Sequence, residues 1–566
     1  MKHTFSILLC VCMLFSLCAC SRDTTGCMIY YPVYDTMQSC DPQIASSDTE
    51  KIIVTNCFEG LVRVNEDGEI VPAAAASWNV SPDGLIYTFH LRKEAQWMLT
   101  DYTKESLKEK LPADFAPKVT ADDFVFALQR ALNPATGADD AYLLYSIANA
   151  RTVASGQTDV SALGVRAVNE YTLEIELSEP QSNFLYVLTE CICMPCNRTF
   201  FEACGGRYGM MVRYYMSNGP FYLYMFSDTD YSLYASEVYN GAHKPKPSRV
   251  FLYYNEDGKG VEEKMSSEFY SAAYLTDTMF AQTKVKKSTT VTELENTTYA
   301  LLFNLKNESL QNENVRRGIV YATDARALAE MTGKTYADSL VPAVCGFTPP
   351  VKNMYNESIA LETLIKGFVE LSQPRTVEVP VEPSDSELTD VSAAATTQML
   401  EEPEEVERIS LTLLTVEKYA DALKRQMQSW QRILGLRCVI RIETVSDAQL
   451  RARVAAGEYE IAFAPLTVDS PDALGFLLHF SADSPSNCIS LQNQGYTALL
   501  DAARAAGSTA QQEQYITAAA DYLQESGCII PVFSTGAYLV QTTGVSGVYC
   551  YTGPDRVYFD NAFSEN

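Results

Sequence analysis

The sequence predicts a mixed α/β protein of two or more lobes. Three observations predict it. About 545 residues follow an apolar leader, more than one hydrophobic core normally serves, and 47% of the 566 residues are hydrophobic, enough to fill several cores. Strands in which apolar and polar residues alternate recur among helices whose apolar residues repeat every three or four positions. From residue 409 a strand, a helix and a second strand follow one another as a βαβ unit.

The leader, MKHTFSILLCVCMLFSLCAC, carries Lys2 and an apolar run over residues 5–17, too short and wrongly flanked for a membrane span. It reads as a secretory signal over residues 1–19. Its end, Leu17-Cys18-Ala19-Cys20, fits the bacterial lipobox, in which a small residue precedes a cysteine that receives diacylglycerol. Cys20 is the expected lipidation site, because Leu17 rather than a small residue precedes Cys18. Residues 20–27 then form a tether. No later stretch reaches the ~20 apolar residues of a spanning helix, so the expectation is an exported chain held by its lipid on the extracytoplasmic face of the cell membrane.

The formal charge of -28 at pH 7 repels phosphate backbones and excludes nucleic acid as a partner. Twelve cysteines follow Cys20. Export permits disulfides, but several thiols sit inside apolar runs such as Arg437-Cys438-Val439-Ile440 and Gly527-Cys528-Ile529-Ile530, where cysteine acts as a small buried hydrophobe. Spacing alone leaves any pairing open.

Taken in order, residues 28–33 read as a strand, Asp41-Pro42 as a turn and residues 48–57 as a helix. Asn65-Glu66-Asp67-Gly68 and Ser81-Pro82-Asp83-Gly84 are turn clusters, with Tyr87, Phe89 and Leu91 alternating in a strand between wet neighbours. Thr120 offers an N-cap with Asp123 at the third helical position, ahead of Phe124, Ala127, Leu128 and Ala131 at helical spacing. Tyr171, Leu173, Ile175 and Leu177 alternate in another strand, which Pro180 stops before a helix over 182–189. Further on come a strand at 299–304, an amphipathic helix over 314–329, a strand at 409–414 and a helical stripe of Tyr419, Leu423, Met427, Trp430 and Leu434. Gly435 caps that helix before a strand through Cys438, Ile440 and Ile442. Between these, residues 373–407 hold four prolines and many acids without periodicity, the composition of a disordered acidic insertion.

Several stretches resemble a known family. Phe58-Glu59-Gly60-Leu61-Val62, Ser77-Trp78, Pro82-Asp83-Gly84-Leu85, Trp97, Val119-Thr120-Ala121-Asp122-Asp123-Phe124 and the run 163–180 occur in order, followed by Asn218-Gly219-Pro220-Phe221, Phe347-Thr348-Pro349-Pro350, Asp469-Ser470-Pro471-Asp472, Asn487 and Ile530-Pro531-Val532. Together they resemble the extracellular solute-binding proteins of peptide ABC importers, the oligopeptide- and dipeptide-binding family. The resemblance implies a periplasmic-binding-protein-like fold of two hinged lobes closing over a ligand, with an extra β-rich domain inserted in the first. Residues 28–57, 165–285 and 505–566 would form lobe I, 58–164 the extra domain and 286–504 lobe II. It implies a short peptide ligand, ABC permease subunits as partners, a single chain and no cofactor or metal. The ligand-binding residues it implies are Asp469, which would hold the peptide ammonium, with Asn218, Gly219, Phe347, Leu466, Thr467 and Asn487. The chain departs from the family pattern at Pro465-Leu466, where Gly-Trp is usual, at Ser470, where an aromatic is usual, and at Phe463, where some members carry a base. Pro465 also removes a main-chain donor.

Three other readings compete. Cys191, Cys193, Cys196 and Cys204 could hold a metal as four thiolates, though at irregular spacing. A hydrolase reading finds His90, His243 and His479 outside any catalytic motif. The same fold could also carry a nickel chelate, a sugar or a signalling peptide.

Overall fold

The computed structural model describes residues 26–565 apart from 182, 228, 256–257, 259, 374–375, 380–395, 400–405, 469–470, 485 and 552, and not the side chains of 278, 376–379, 396–399 and 448. The leader, Cys20 and the tether up to residue 25 lie outside the described residues, as does Asp469. The chain divides into two compact units, one running to Leu294 and resuming at Ala537, the other comprising Glu295–Gly536.

The first unit contains two four-stranded sheets. One orders Met28–Val33, Arg249–Tyr254, Asp230–Ala235 and Phe221–Phe226, the first pair parallel and the others antiparallel. The other orders Ala75–Val80, Ile86–Leu91, Thr172–Glu176 and Val165–Asn169, all antiparallel. Helix Asp48–Cys57 stands where the sequence places it, and its capping box joins Ser47 and Glu50. Helix Ala121–Ala131 begins with the box of Thr120 and Asp123. The helix expected over 182–189 is the single turn Phe184–Val187.

The second unit is built on the βαβ unit. Strand Ile409–Val416, helix Glu417–Leu434 and strand Cys438–Val445 follow the sequence pattern, with Gly435 at φ 67° ending the helix. The helix expected over 314–329 is two, Glu313–Tyr321 and Ala325–Met331. Asp324 caps the second by accepting from Ala327 N at 3.0 Å, and buried Thr323 between them accepts the Trp430 indole N–H at 2.9 Å. An apolar stripe shows neither event.

Two boundaries need correction. Residues 505–536 belong to the second unit rather than to the first lobe: Ile516, Ala519, Ala520 and Leu523 of helix Thr509–Glu525 and Val532 of the next strand are buried in its core. The boundary at 164/165 cuts a sheet, because Thr172–Glu176 pairs with Ile86–Leu91. Alternation shows that each is a strand and not which strand it pairs with. Within 373–407, Thr376–Val379 pairs antiparallel with Thr396–Met399, where no regular structure was read.

Candidate ligand-binding site

In the second unit the parallel strands Cys438–Val445, Ile409–Val416 and Ile461–Thr467 lie in that order, so the strand that comes first in the chain is in the middle. The chain steps from it to one side and then to the other. Where connections diverge in this way, a crevice opens at the strands' carboxyl ends, the usual ligand position in α/β sheets. The ladder between the two strands flanking it covers only Leu413↔Ile461 and Leu414↔Ala462. Beyond it the Thr415 hydroxyl donates to Phe463 O at 3.4 Å. On its other side Ile461–Thr467 stays paired antiparallel, from Phe303↔Ile461 to Thr297↔Thr467. Over residues 465–467, then, the described ladders occupy only one edge of the strand.

The register decides which side chains share a face. Thr297, Tyr299 and Leu301 stand directly opposite Thr467, Pro465 and Phe463, and the two threonine hydroxyls lie 3.1 Å apart. Next to them is an aromatic cluster: Tyr299 stacks on Phe533 with centroids 4.8 Å apart and meets Tyr419 at 5.2 Å, and Tyr419 meets Phe463 at 5.3 Å edge-on. Phe463 and Phe533 are fully buried, while Tyr299 is half-buried. Phe463 is therefore part of the apolar core beneath the strand, and it brings no cation to the strand end. Beyond the strand, Asp472 caps helix Ala473–Leu478 by accepting from Leu474 N at 3.2 Å and Gly475 N at 2.6 Å. Burial, reinforced by the Asp472 charge, holds the Cys345 thiol well above its ordinary range.

The residues implied by the resemblance fall into several places. Leu466 is buried and Thr467 exposed at the strand end. Phe347 is half-buried against the second unit's core. Asn487 uses its amide as a loop strut, donating to Ser481 O at 3.1 Å and Leu491 O at 2.9 Å and accepting from Leu491 N at 3.1 Å. Asn218 and Gly219 belong to the first unit. Asn218 clamps the main chain of Glu59, donating to its O at 2.8 Å and accepting from its N at 3.0 Å. Gly219 N donates to Cys57 O at 2.8 Å, and a Cβ on Gly219 would lie 2.7 Å from Cys57 C, so only glycine allows that approach. The structure thus brings Leu466 and Thr467 together with Thr297 and Tyr299, and commits both asparagine amides to internal bonds. Tyr299, Tyr419 and Phe533 lie beside this strand end, and no sequence motif singles them out. Tyr419 was visible only as one member of a helical stripe.

The candidate metal and catalytic residues have other partners. Cys191 Sγ lies 3.8 Å from Lys51 O, Cys193 Sγ 3.3 Å from Val187 O, Cys196 Sγ 3.4 Å from Arg130 Nη1 and Cys204 Sγ 3.9 Å from Tyr214 O. Burial pushes the thiols of Cys191, Cys196 and Cys204 up to about 12, and among the described residues no His, Cys, Asp and Glu cluster could hold a metal ion. His90 is exposed on strand Ile86–Leu91, beside Asn79 Nδ2 at 3.3 Å.

Residues 69–488 match the family model of the bacterial extracellular solute-binding proteins, family 5 Middle. The chain belongs to this family. A similar protein is the dipeptide-binding protein of Lactococcus lactis, 25% identical over 369 residues, which are 61% of this chain and 64% of that one. The dipeptide-binding protein DppE of Bacillus subtilis is 24% identical over 522 residues, 90% of this chain and 87% of that protein. The fold is similar to that of Listeria monocytogenes OppA bound to peptide, with a TM-score of 0.70 at 20% identity over 96% of this chain and 99% of that one. Among the described residues no helix is long and apolar enough to cross a membrane.

Proposed function

We propose that this family 5 protein is the lipid-anchored, extracytoplasmic substrate-binding component of an ABC importer, and that it captures short peptides and delivers them to the permease. The observation that carries the reading is the strand end at residues 465–467, one edge of which the described ladders leave to an added strand. A peptide receptor must satisfy a constant main chain while side chains vary, and strand addition does so. DppE of Bacillus subtilis is named as dipeptide-binding, and the Listeria monocytogenes OppA structure holds a peptide.

In this reading Asp469, two residues beyond Thr467, holds the peptide ammonium, Thr467 supplies main-chain groups beside it, and Leu466 lines the strand end by its side chain. Pro465 offers only its carbonyl, so the first rung of the added strand is one-sided. With Phe463 in the apolar core, recognition rests on the amino end of the peptide rather than on its carboxylate. Cys20 carries the lipid.

The test is calorimetry of the mature chain against a mixed library of di- to pentapeptides. Binding is expected, and Asp469→Ala should weaken it by about 3 to 5 kcal/mol, a hundredfold or more. Full affinity in that variant would remove Asp469 from the site. Failure of every peptide to bind, with a nickel chelate or a sugar binding instead, would overturn the cargo.

A further inference from the structure

The sheet of Met28–Val33, Arg249–Tyr254, Asp230–Ala235 and Phe221–Phe226 has one face in the first unit's core, through Ile29, Tyr31, Val250, Leu252 and Leu233. Side chains alternate along strands, and the outer face of such a sheet is ordinarily polar. Here it is not. One row across the sheet runs Met28, Arg249, Tyr234, Tyr222, and the next runs Tyr30, Phe251, Ser232, Met225; Ser232 is buried and Tyr30 packs against the buried cluster of Val261, Met265 and Tyr270, so the open part of the face is the first row with Tyr224 and Met225. Tyr30 stacks on Phe251 at 5.3 Å, and Tyr224 stacks on Tyr234 at 4.1 Å. A bulge between Leu223 and Met225 interrupts the alternation and leaves Tyr224 and Met225 exposed by 54% and 41%. Phe269, 47% exposed, extends the surface from Tyr30 at 6.1 Å. The cations on this face lie over rings: Arg249 is 4.6 Å from the Tyr234 centroid and Lys264 5.8 Å from that of Phe269.

Tyrosine and phenylalanine interleaved with arginine and lysine is the composition of a surface at a membrane interface, where rings sit among head groups and cations reach outward. The length of chain ahead of the sheet says which surface this face meets. Met28 belongs to the face, and eight residue steps separate it from Cys20, at most about 28 Å for any chain. A lipid on Cys20 therefore keeps this face within reach of the head groups. The chain as a whole carries a net -28, and Glu237 acts on Tyr222 while Glu262 and Glu263 share the helix of Lys264, so Arg249 and Lys264 only offset these acids and the contact rests on the rings rather than on charge.

We infer that this aromatic face rests on the phospholipid surface and orients the anchored protein. The inference depends on the reading of Cys20 as the anchor. To test it, the lipidated chain is reconstituted on vesicles of phosphatidylcholine and phosphatidylglycerol with brominated acyl chains. Tryptophan emission is compared between Y224W and L436W, the latter at a 67% exposed position of the second unit, with the unsubstituted chain as background. Loss of the added emission in Y224W and its retention in L436W is the expected result. Unquenched Y224W emission overturns the inference. So does a dimer of the unlipidated chain, or its pelleting with purified cell-wall glycan, when Y224S abolishes it, which would assign the face to a second copy or to a polysaccharide. Mass spectrometry of Cys20 reports the anchor separately. If Cys20 is unmodified, a histidine tag ahead of Ser21 on a nickel-chelating lipid supplies the tether, so failure of the anchor and failure of the face are read apart.

Discussion

In the first unit three buried arginines each meet a carboxylate from a distant part of the chain: Arg63 with Asp560, Arg130 with Asp41 and Arg556 with Glu190. In the second unit, Arg432 pairs with Glu357 and Arg453 with Glu443 at the surface, while buried Arg316 donates to the main-chain carbonyls of Leu310, Gln311 and Ser526. The difference follows from how each unit is assembled. The first must recruit the segment from Ala537 onward across a long excursion of the chain, and a desolvated charge is tolerable only beside its partner. Arg63 and Arg556 thereby set where the C-terminal segment joins. The second unit is continuous in sequence and closes mainly on apolar layers and the ring cluster around Phe463.

The largest effect that tests this contrast is Arg556→Ala. It leaves the largely buried Glu190 without its arginine and should cost about 3 kcal/mol, the low end for a buried pair. Calorimetric unfolding should show the loss in the first unit's transition, and an unchanged midpoint would break the contrast. A pH series sharpens it. His243 is held down to about 4, mainly by burial and then by the Arg63 charge, while Asp560, 3.7 Å away, pulls the other way. Because the folded value lies below the ordinary 6.5, the His243 contribution is whole above pH 6.5 and is lost as pH falls towards 4. The melting midpoint of the native chain should fall over that window relative to His243→Gln, and parallel curves would show that His243 does not titrate so. The smallest effect belongs to Arg432→Ala. Both partners of that pair are exposed, so urea unfolding should show little or no change in midpoint. A loss as large as that of Arg556→Ala would erase the distinction between the units.

Much of the architecture was legible before the structure. Helix Asp48–Cys57, the Thr120 box and the βαβ unit from Ile409 stand where caps and periodicity place them, because these signals are written within a few residues. The single long helix over 314–329 failed for a related reason: its stripe continues across Asp324, whose cap on Ala327 N starts a second helix while Thr323 is held by the Trp430 indole. At the candidate strand end, motif order pointed to Leu466 and Thr467. It did not point to Tyr299 and Tyr419, since no local pattern says that a strand residue and a helix residue far apart in sequence will share a ring contact.

By itself the sequence determined the mixed α/β class, the order of most elements and the family resemblance. Each of these depends on residues close together or on motifs in linear order. Tertiary structure alone decided that residues 505–536 complete the second unit, that Thr172–Glu176 pairs with Ile86–Leu91, and that Asn218 and Asn487 spend their amides on neighbouring main chain. Strand partners, buried ion pairs and the aromatic outer face all depend on contacts between remote segments. Those contacts are chosen by the burial of the whole chain and not by any local preference.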